Sequence, residues 1–155
     1  MIPDQATSDA FTEFVSDVES RLRQALTSAL GPDHGREAAA EALAYGWENW
    51  ARISEMENPV GYLFRVGQRS GRRMRSRQRV VFPAVAADRL PWVEPGLPAA
   101  MLRLSDQQRV VVLLLFGYEW SMSEVADLLG VSKATVQSYS DRALRKLRRK
   151  LGVDR

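Results

Sequence analysis

Lys133, Gln137, Ser138, Tyr139 and Arg142 combine cations, an amide and hydroxyls within a stretch that reads as one helix from Ser132 to Leu151. With successive residues turned by the helical angle, Val136, Ser140, Ala143, Leu144, Leu147 and Leu151 fall on one side. Ala134, Ser138, Arg142, Arg145 and Arg149 fall opposite, flanked by Thr135, Tyr139 and Lys146. The first set is the side to bury. The second suits an anion, and the small Ala134 and Ser138 permit close approach. A Gly130-Val-Ser turn joins this helix to a shorter amphipathic one, Ser121 to Leu129, which makes a helix-turn-helix. In that motif the start of the second helix meets base edges, so Lys133, Gln137, Ser138, Tyr139 and Arg142 are the candidates for base contact. Arg145, Lys146 and Arg149 would add salt-sensitive, sequence-independent affinity for phosphates. The competing reading is an amphipathic helix whose charges simply face water.

A second cationic row lies in the first half of the chain. Arg65, Arg69, Arg72 and Arg73 follow at i, i+4, i+7 and i+8, and Arg75, Arg77 and Arg79 extend the charge. Leu63, Val66, Ser70 and Met74 take another face. Like charges one helical turn apart oppose the helix by a few tenths of a kcal/mol per pair, so an anionic partner would help it. DNA is one such partner, and the chain's own acidic N-terminal helices are another. Trp47, Trp50 and Tyr62 are suited to stacking on unpaired bases, whereas two tryptophans three apart on a helix also suit a core.

Other chemistry has little to stand on. The chain has no cysteine, and His34 is its only histidine, which argues against zinc and against histidine-based catalysis. No carboxylate pair, phosphate-cradling glycine loop or nucleophile–base set is present, so neither an enzyme nor a bound cofactor or metal is expected. The longest apolar run, Val110 to Phe116, is far short of the ~18 residues of a membrane span. The N-terminus lacks a signal-peptide pattern, and a cytoplasmic protein that does not engage a membrane is the expectation. The net charge of +3 is unevenly distributed. Residues 1–60 hold eleven acidic and four basic side chains, net −7, and residues 61–155 hold eight acidic and eighteen basic, net +10.

The elements that would position these residues are all helices. Phe11, Phe14, Val15, Val18, Leu22, Ala25, Leu26 and Ala29 form a stripe on a first helix that Gly31-Pro32 ends. A second helix, about 33–53, places Ala40, Leu43, Trp47 and Trp50 on one side. Asn58 before Pro59 opens a third, running to about Arg79, which Gly61, Gly67 and Gly71 should make the least stable of the long helices. Periodicity then disappears through a proline-containing stretch. The expected organisation is all-α, with two small helical domains: a three-helix bundle at 1–79, a linker at 80–97, and a helix-turn-helix domain at 98–155. Capping boxes at Ser105/Gln108 and Ser121/Glu124 start helices in the second domain, and Gly130 suits a left-handed helix end. Val110, Leu113, Leu114, Val125, Leu128 and Leu129 supply its expected core.

The residues from Leu104 to Leu114, Ser123 to Ser132, Thr135 to Ser138 and Arg142 to Arg148 resemble region 4 of bacterial RNA polymerase sigma factors, and most closely those of the small extracytoplasmic-function (ECF) group. Residues 11–15, Glu41 to Ala44 with Trp47 and Trp50, and Asn58 to Leu63 are similar in layout to region 2. The resemblance implies that region 4 binds the −35 promoter element and touches the polymerase flap. It implies that region 2 binds the polymerase clamp and opens and reads the −10 element, and that an anti-sigma factor often masks both. Carried over, Lys133, Thr135, Gln137, Ser138, Tyr139 and Arg142 would face −35 DNA, and Arg65, Arg69, Arg72, Arg73, Arg75 and Arg77 would lie along the −10 region. Glu37 and Glu41 fall where the family has acidic clamp-binding residues. The chain departs from the pattern at Ala40 (usually Gln), at Arg69 and Arg73 (aligned with an Asn and an Asp), at Tyr139 (often Arg) and at Ser140 (usually apolar).

The leading expectation is therefore an ECF-like sigma factor with core RNA polymerase and promoter DNA as partners. The altered third helix motivates one alternative, a sigma-derived DNA-binding regulator that does not itself open promoters. A second alternative is an interaction module whose basic helices dock on acidic proteins.

Overall fold

The computed structural model describes residues 4–75 and 95–153, with side chains described to Arg73 in the first of these stretches. Arg77, Arg79 and the part of the expected linker from 80 to 94 lie outside them. Two compact units divide the chain between Arg77 and Gln78, and among the described residues all regular structure is helical.

In the first unit, α1 (Gln5–Leu30), α2 (Pro32–Glu48) and α4 (Pro59–Arg75) pack on one another, with the single-turn α3 (Trp50–Ile53) between the last two in sequence. Asp4 starts α1 by accepting from the Thr7 amide at 2.8 Å, and the Thr7 hydroxyl, with that amide second, holds its carboxyl below the usual carboxylate range. Asn58 does the same for α4 through the Gly61 amide at 3.0 Å. The expected second helix is not continuous. Asn49 leaves helical geometry, and its side-chain amide donates at 3.0 Å to the Tyr45 carbonyl, which also accepts from the Asn49 backbone N–H at 3.1 Å, so both bonds close the helix end there.

The face that α2 buries also differs from expectation. Ala40 is exposed, Leu43 and Trp50 are half-buried and Trp47 is 37% exposed. Gly35, Ala38, Ala39, Ala42 and Gly46 are buried instead. A Cβ on Gly35 would stand 2.3 Å from the Thr27 Cα, so α1 and α2 approach backbone to backbone there. The glycines of α4 serve the same end. A Cβ on Gly67 or Gly71 would meet Leu26 or Leu30 of α1 at 2.6 and 2.2 Å. Their propensity cost of up to about 1 kcal/mol each is thus set against burial of two leucines, each worth about 2 kcal/mol. Leu22, Ala25, Leu26, Leu63 and Phe64 complete the core.

The second unit contains α5 (Leu97–Leu102), α6 (Asp106–Val112) continuing into a π-helical turn (Leu113–Gly117), α7 (Met122–Leu129) and α8 (Lys133–Leu151). Both capping boxes form, Ser105 with Gln108 and Ser121 with Glu124. Gly130 adopts φ 67°, and the amides of Gly130 and Val131 reach back to Asp127 and Ala126, closing the helix end as a Schellman turn. Val110, Leu114, Val125 and Leu128 are buried as expected, while Leu113 and Leu129 are half-buried. Val111, Trp120 and Arg109 join them.

Candidate nucleic-acid interface

Helix α8 is fixed at both ends. Ser132 accepts from the Thr135 amide at 3.1 Å, and Gly152 at φ 68° ends the helix beside Arg148, Arg149 and Lys150, where cations suit its negative pole. Val136, Ser140, Ala143 and Leu147 are buried, and Leu144 and Leu151 are half-buried, so the inward face is the one the spacing marks. Its far half packs with Ala100, Met101, Leu104 and Val112. The segment that precedes the motif therefore backs the helix that would read DNA.

Lys133, Ala134, Gln137, Arg142, Arg145 and Arg149 are exposed, whereas Thr135, Ser138, Tyr139 and Lys146 are half-buried. Two of these side chains are engaged within the helix. The Thr135 hydroxyl shares a 2.9 Å hydrogen bond with Ser132, which ties it to the cap. The Gln137 amide donates to Asp141 at 2.8 Å, so reaching a base would require that bond to break. The face presents a helix N-terminus, small residues and a graded run of cations, a surface matched to a polyanion.

Arg109 is a residue that sequence reasoning passed over as a core element. It is 1% exposed, and its guanidinium pairs with Asp106 at 2.7 Å and donates to the Leu104 carbonyl at 3.2 Å. It thereby joins the end of α5 to the start of α6. Its place in a charged-looking segment, Asp106 to Arg109, offered the only hint, an i,i+3 pairing.

In the first unit, Arg65, Arg69, Arg72 and Arg73 are exposed along α4. Among the described residues no ion pair joins Arg65, Arg69 or Arg72 to a carboxylate, so pairing with the chain's own acidic helices does not account for these three. Glu37 and Glu41 are exposed on α2, and Glu41 accepts a hydrogen bond from Ser70 of α4. Trp47 and Trp50 pack on α1 rather than in the centre. Ring centroids lie 5.2 Å apart for Phe11–Trp47 and 4.8 Å for Phe14–Trp50, in an aromatic cluster at the rim. Tyr62 belongs to a different group, with Tyr45 and Arg52, neither of which the sequence singled out.

Residues 100–149 match the family model for sigma-70, region 4. That stretch is similar to sigma-70 region 4. It runs from within α5 to near the end of α8 and includes the whole helix-turn-helix. The fold of the chain is similar to that of the sigma factor RpoE from Bartonella quintana, solved with the anti-sigma factor NepR. There the TM-score is 0.60 at 21% identity, over 94% of this chain and 99% of that one. It is also similar to CnrH, solved with the cytosolic domain of CnrY, with a TM-score of 0.62 at 24% identity over 97% of this chain and 95% of that one. No curated protein matches the sequence significantly. The family match lies wholly in the second unit, and the two structural likenesses show a shared all-α fold. No helix among the described residues is long and apolar enough to cross a membrane, and no cluster of acidic, histidine or cysteine side chains there would hold a metal ion.

Proposed function

We propose that this chain is an ECF-type sigma factor that brings core RNA polymerase to promoters and performs no covalent chemistry of its own. The observation that carries the reading is the capped helix-turn-helix with an exposed cationic face, inside the region 4 match. In this reading α8 enters the major groove of the −35 element. Lys133, Gln137, Ser138, Tyr139 and Arg142 approach base edges, Thr135 fixes the helix start, and Arg145, Lys146 and Arg149 hold phosphates. The first unit then serves the clamp through Glu37 and Glu41 and the −10 element through the arginine row of α4. The work would be done in the cytoplasm, where promoter and polymerase are. The two relatives were each solved with a protein partner, one of them named as an anti-sigma factor, so a masking partner of that kind fits this chain too.

Arg69 and Arg73, exposed on α4 where the family usually has an Asn and an Asp, favour a second reading. In it the chain binds DNA through residues 98–152 and regulates transcription without opening promoters. Gel filtration of the full-length chain with core RNA polymerase separates the two. Co-elution followed by run-off transcription on a cognate promoter is expected. A chain that shifts duplex DNA but never co-elutes with the polymerase would be the regulator.

A further inference from the structure

We infer that Lys133 is an acylation site, through which an acyl phosphate turns a side-chain amine into an amide and releases the chain from DNA with its fold intact. The inference rests on the proposed placing of α8 in the major groove.

The chain has 22 lysines and arginines, and only Lys133, Lys146 and Lys150 are lysines. All three lie on α8, whose other four cations are arginines. A guanidinium stays protonated in water and is a poor nucleophile, whereas an ammonium gives up its proton far more readily and then has a free electron pair. A reagent that acylates side-chain amines therefore finds its targets on this helix alone.

The three lysines are not equivalent. Lys150 is in the last turn, where its charge suits the negative pole of the helix, and Lys146 is half-buried. Lys133 is exposed at the first position of α8 and carries the only charge of the first turn. Among the described residues no hydrogen bond or ion pair engages its amine. The positive pole of a helix does not favour a cation. The start of α8 is held instead by Ser132, which accepts from the Thr135 amide at 3.1 Å. Folding thus makes no use of the Lys133 charge, whereas binding to a polyanion would. Neutralising it acts on binding alone.

The step balances with the donor as its only co-reactant. The unprotonated Nζ attacks the acyl carbon and a C–N bond forms. The bond from that carbon to the bridging oxygen breaks, and phosphate leaves with the electron pair and takes up the proton that nitrogen loses. Nothing is oxidised or reduced. The donor is a small anion, which the positive field of α8 concentrates. The product is a neutral amide with no hold on a phosphate or on the acceptors of a guanine edge.

The test uses the full chain, a duplex that the untreated chain selects from a random-sequence pool, and an unselected duplex as control. Peptide mass spectrometry after acetyl phosphate treatment reads which lysines carry an acetyl group, and each variant is compared with its own untreated form. In Lys146→Arg/Lys150→Arg, which leaves Lys133 as the only amine side chain, treatment should weaken binding to the selected duplex by roughly five- to a hundredfold. It should also lower the salt slope by about one unit and leave the helical circular dichroism unchanged. Lys133→Arg should keep its preference for the selected duplex after treatment, any loss falling equally on both duplexes. The selected duplex, bound during treatment, should shield Lys133 from acetylation. An unacetylated Lys133 in the free chain would overturn the inference, as would a helical signal that falls with affinity. If the untreated chain selects no duplex, the placing of α8 on DNA fails and the inference with it. Selective binding that survives acetylation of Lys133 overturns the inference alone.

Discussion

In the first unit α2 meets α1 and α4 through Gly35, Ala38, Ala39, Ala42 and Gly46, and α4 returns Gly67 and Gly71 against Leu26 and Leu30. In the second unit α8 meets its neighbours through Val136, Ala143 and Leu147, with helix ends fixed by Ser105, Ser121, Ser132 and Gly130. One unit gains its packing by removing side chains so that backbones approach. The other fills space with apolar side chains and stops its helices with local hydrogen bonds. The difference makes the first unit sensitive to added atoms and the second to removed partners.

Gly35→Ala tests that contrast at its sharpest point. Alanine is the better helix former by about 1 kcal/mol. Yet the new methyl would stand 2.3 and 2.5 Å from the Thr27 Cα and N, which are backbone and cannot rotate aside. Overpacking costs about 1–3 kcal/mol and more where nothing yields, so the expected net loss is about 2–3 kcal/mol. Amide hydrogen exchange should show α1 and α2 opening more readily while α7 and α8 keep their protection. Equal loss in α8 would mean that the two units do not fold independently.

Asp106→Asn addresses the other side. The carboxylate is 30% exposed and its 2.7 Å partner, the Arg109 guanidinium, is 1% exposed. Weakening a charge-assisted bond to a buried cation should cost about 2 kcal/mol, measured by urea denaturation of the second unit. A cost near zero would show that the carbonyls of Leu104 and Met101 already satisfy the guanidinium, leaving capping and apolar packing as that unit's support.

The same contrast explains what was legible in the sequence. The helix-turn-helix could be read almost residue by residue, because Ser121, Glu124, Gly130 and Ser132 act locally and their spacing is their mechanism. The inward face of α8 was legible for the same reason, since its apolar residues recur at the helical period. In α2 that rule chose the wrong face. Leu43, Trp47 and Trp50 are the largest apolar residues, but the buried line is alanine and glycine, whose contribution is the space they leave. The break at Asn49 escaped notice because it depends on one amide reaching one carbonyl. Arg109, Tyr45 and Arg52 escaped because their partners lie on other elements or turns, and a charge or hydroxyl in sequence does not name its partner.

On α8 the expected effects are smaller and concern DNA. Arg142→Ala should lower affinity for a cognate −35 sequence by about 1–3 kcal/mol and relax preference at one position. Arg149→Ala, seven residues further along the exposed face, should weaken all duplexes alike and reduce the salt slope by about one unit. A change of site preference in Arg149→Ala would place the reading end of the helix in the wrong half.

The smallest effect is expected at Tyr62, and it asks whether the first unit contains any polar network comparable with the Arg109 latch. The Tyr45 hydroxyl, and after it Arg52, favour the ionised form of Tyr62 and lower its pKa from the ordinary value of about 10. Arg52 is in turn held above its usual value, chiefly by its bond to Tyr62. The folded chain therefore releases the Tyr62 proton before the unfolded chain does. Stability should rise with pH between the lowered value and about 10, and the increment should be lost as pH falls through the lowered value. At neutral pH it contributes nothing, and because the group is solvent-accessible the gain is small even at its full extent. Ultraviolet titration of tyrosinate absorbance should show one early-ionising tyrosine that Tyr62→Phe removes and Arg52→Gln moves back toward the others. If Arg52→Gln leaves the early titration in place, the Tyr45 hydroxyl alone sustains it and Arg52 does not hold the pair.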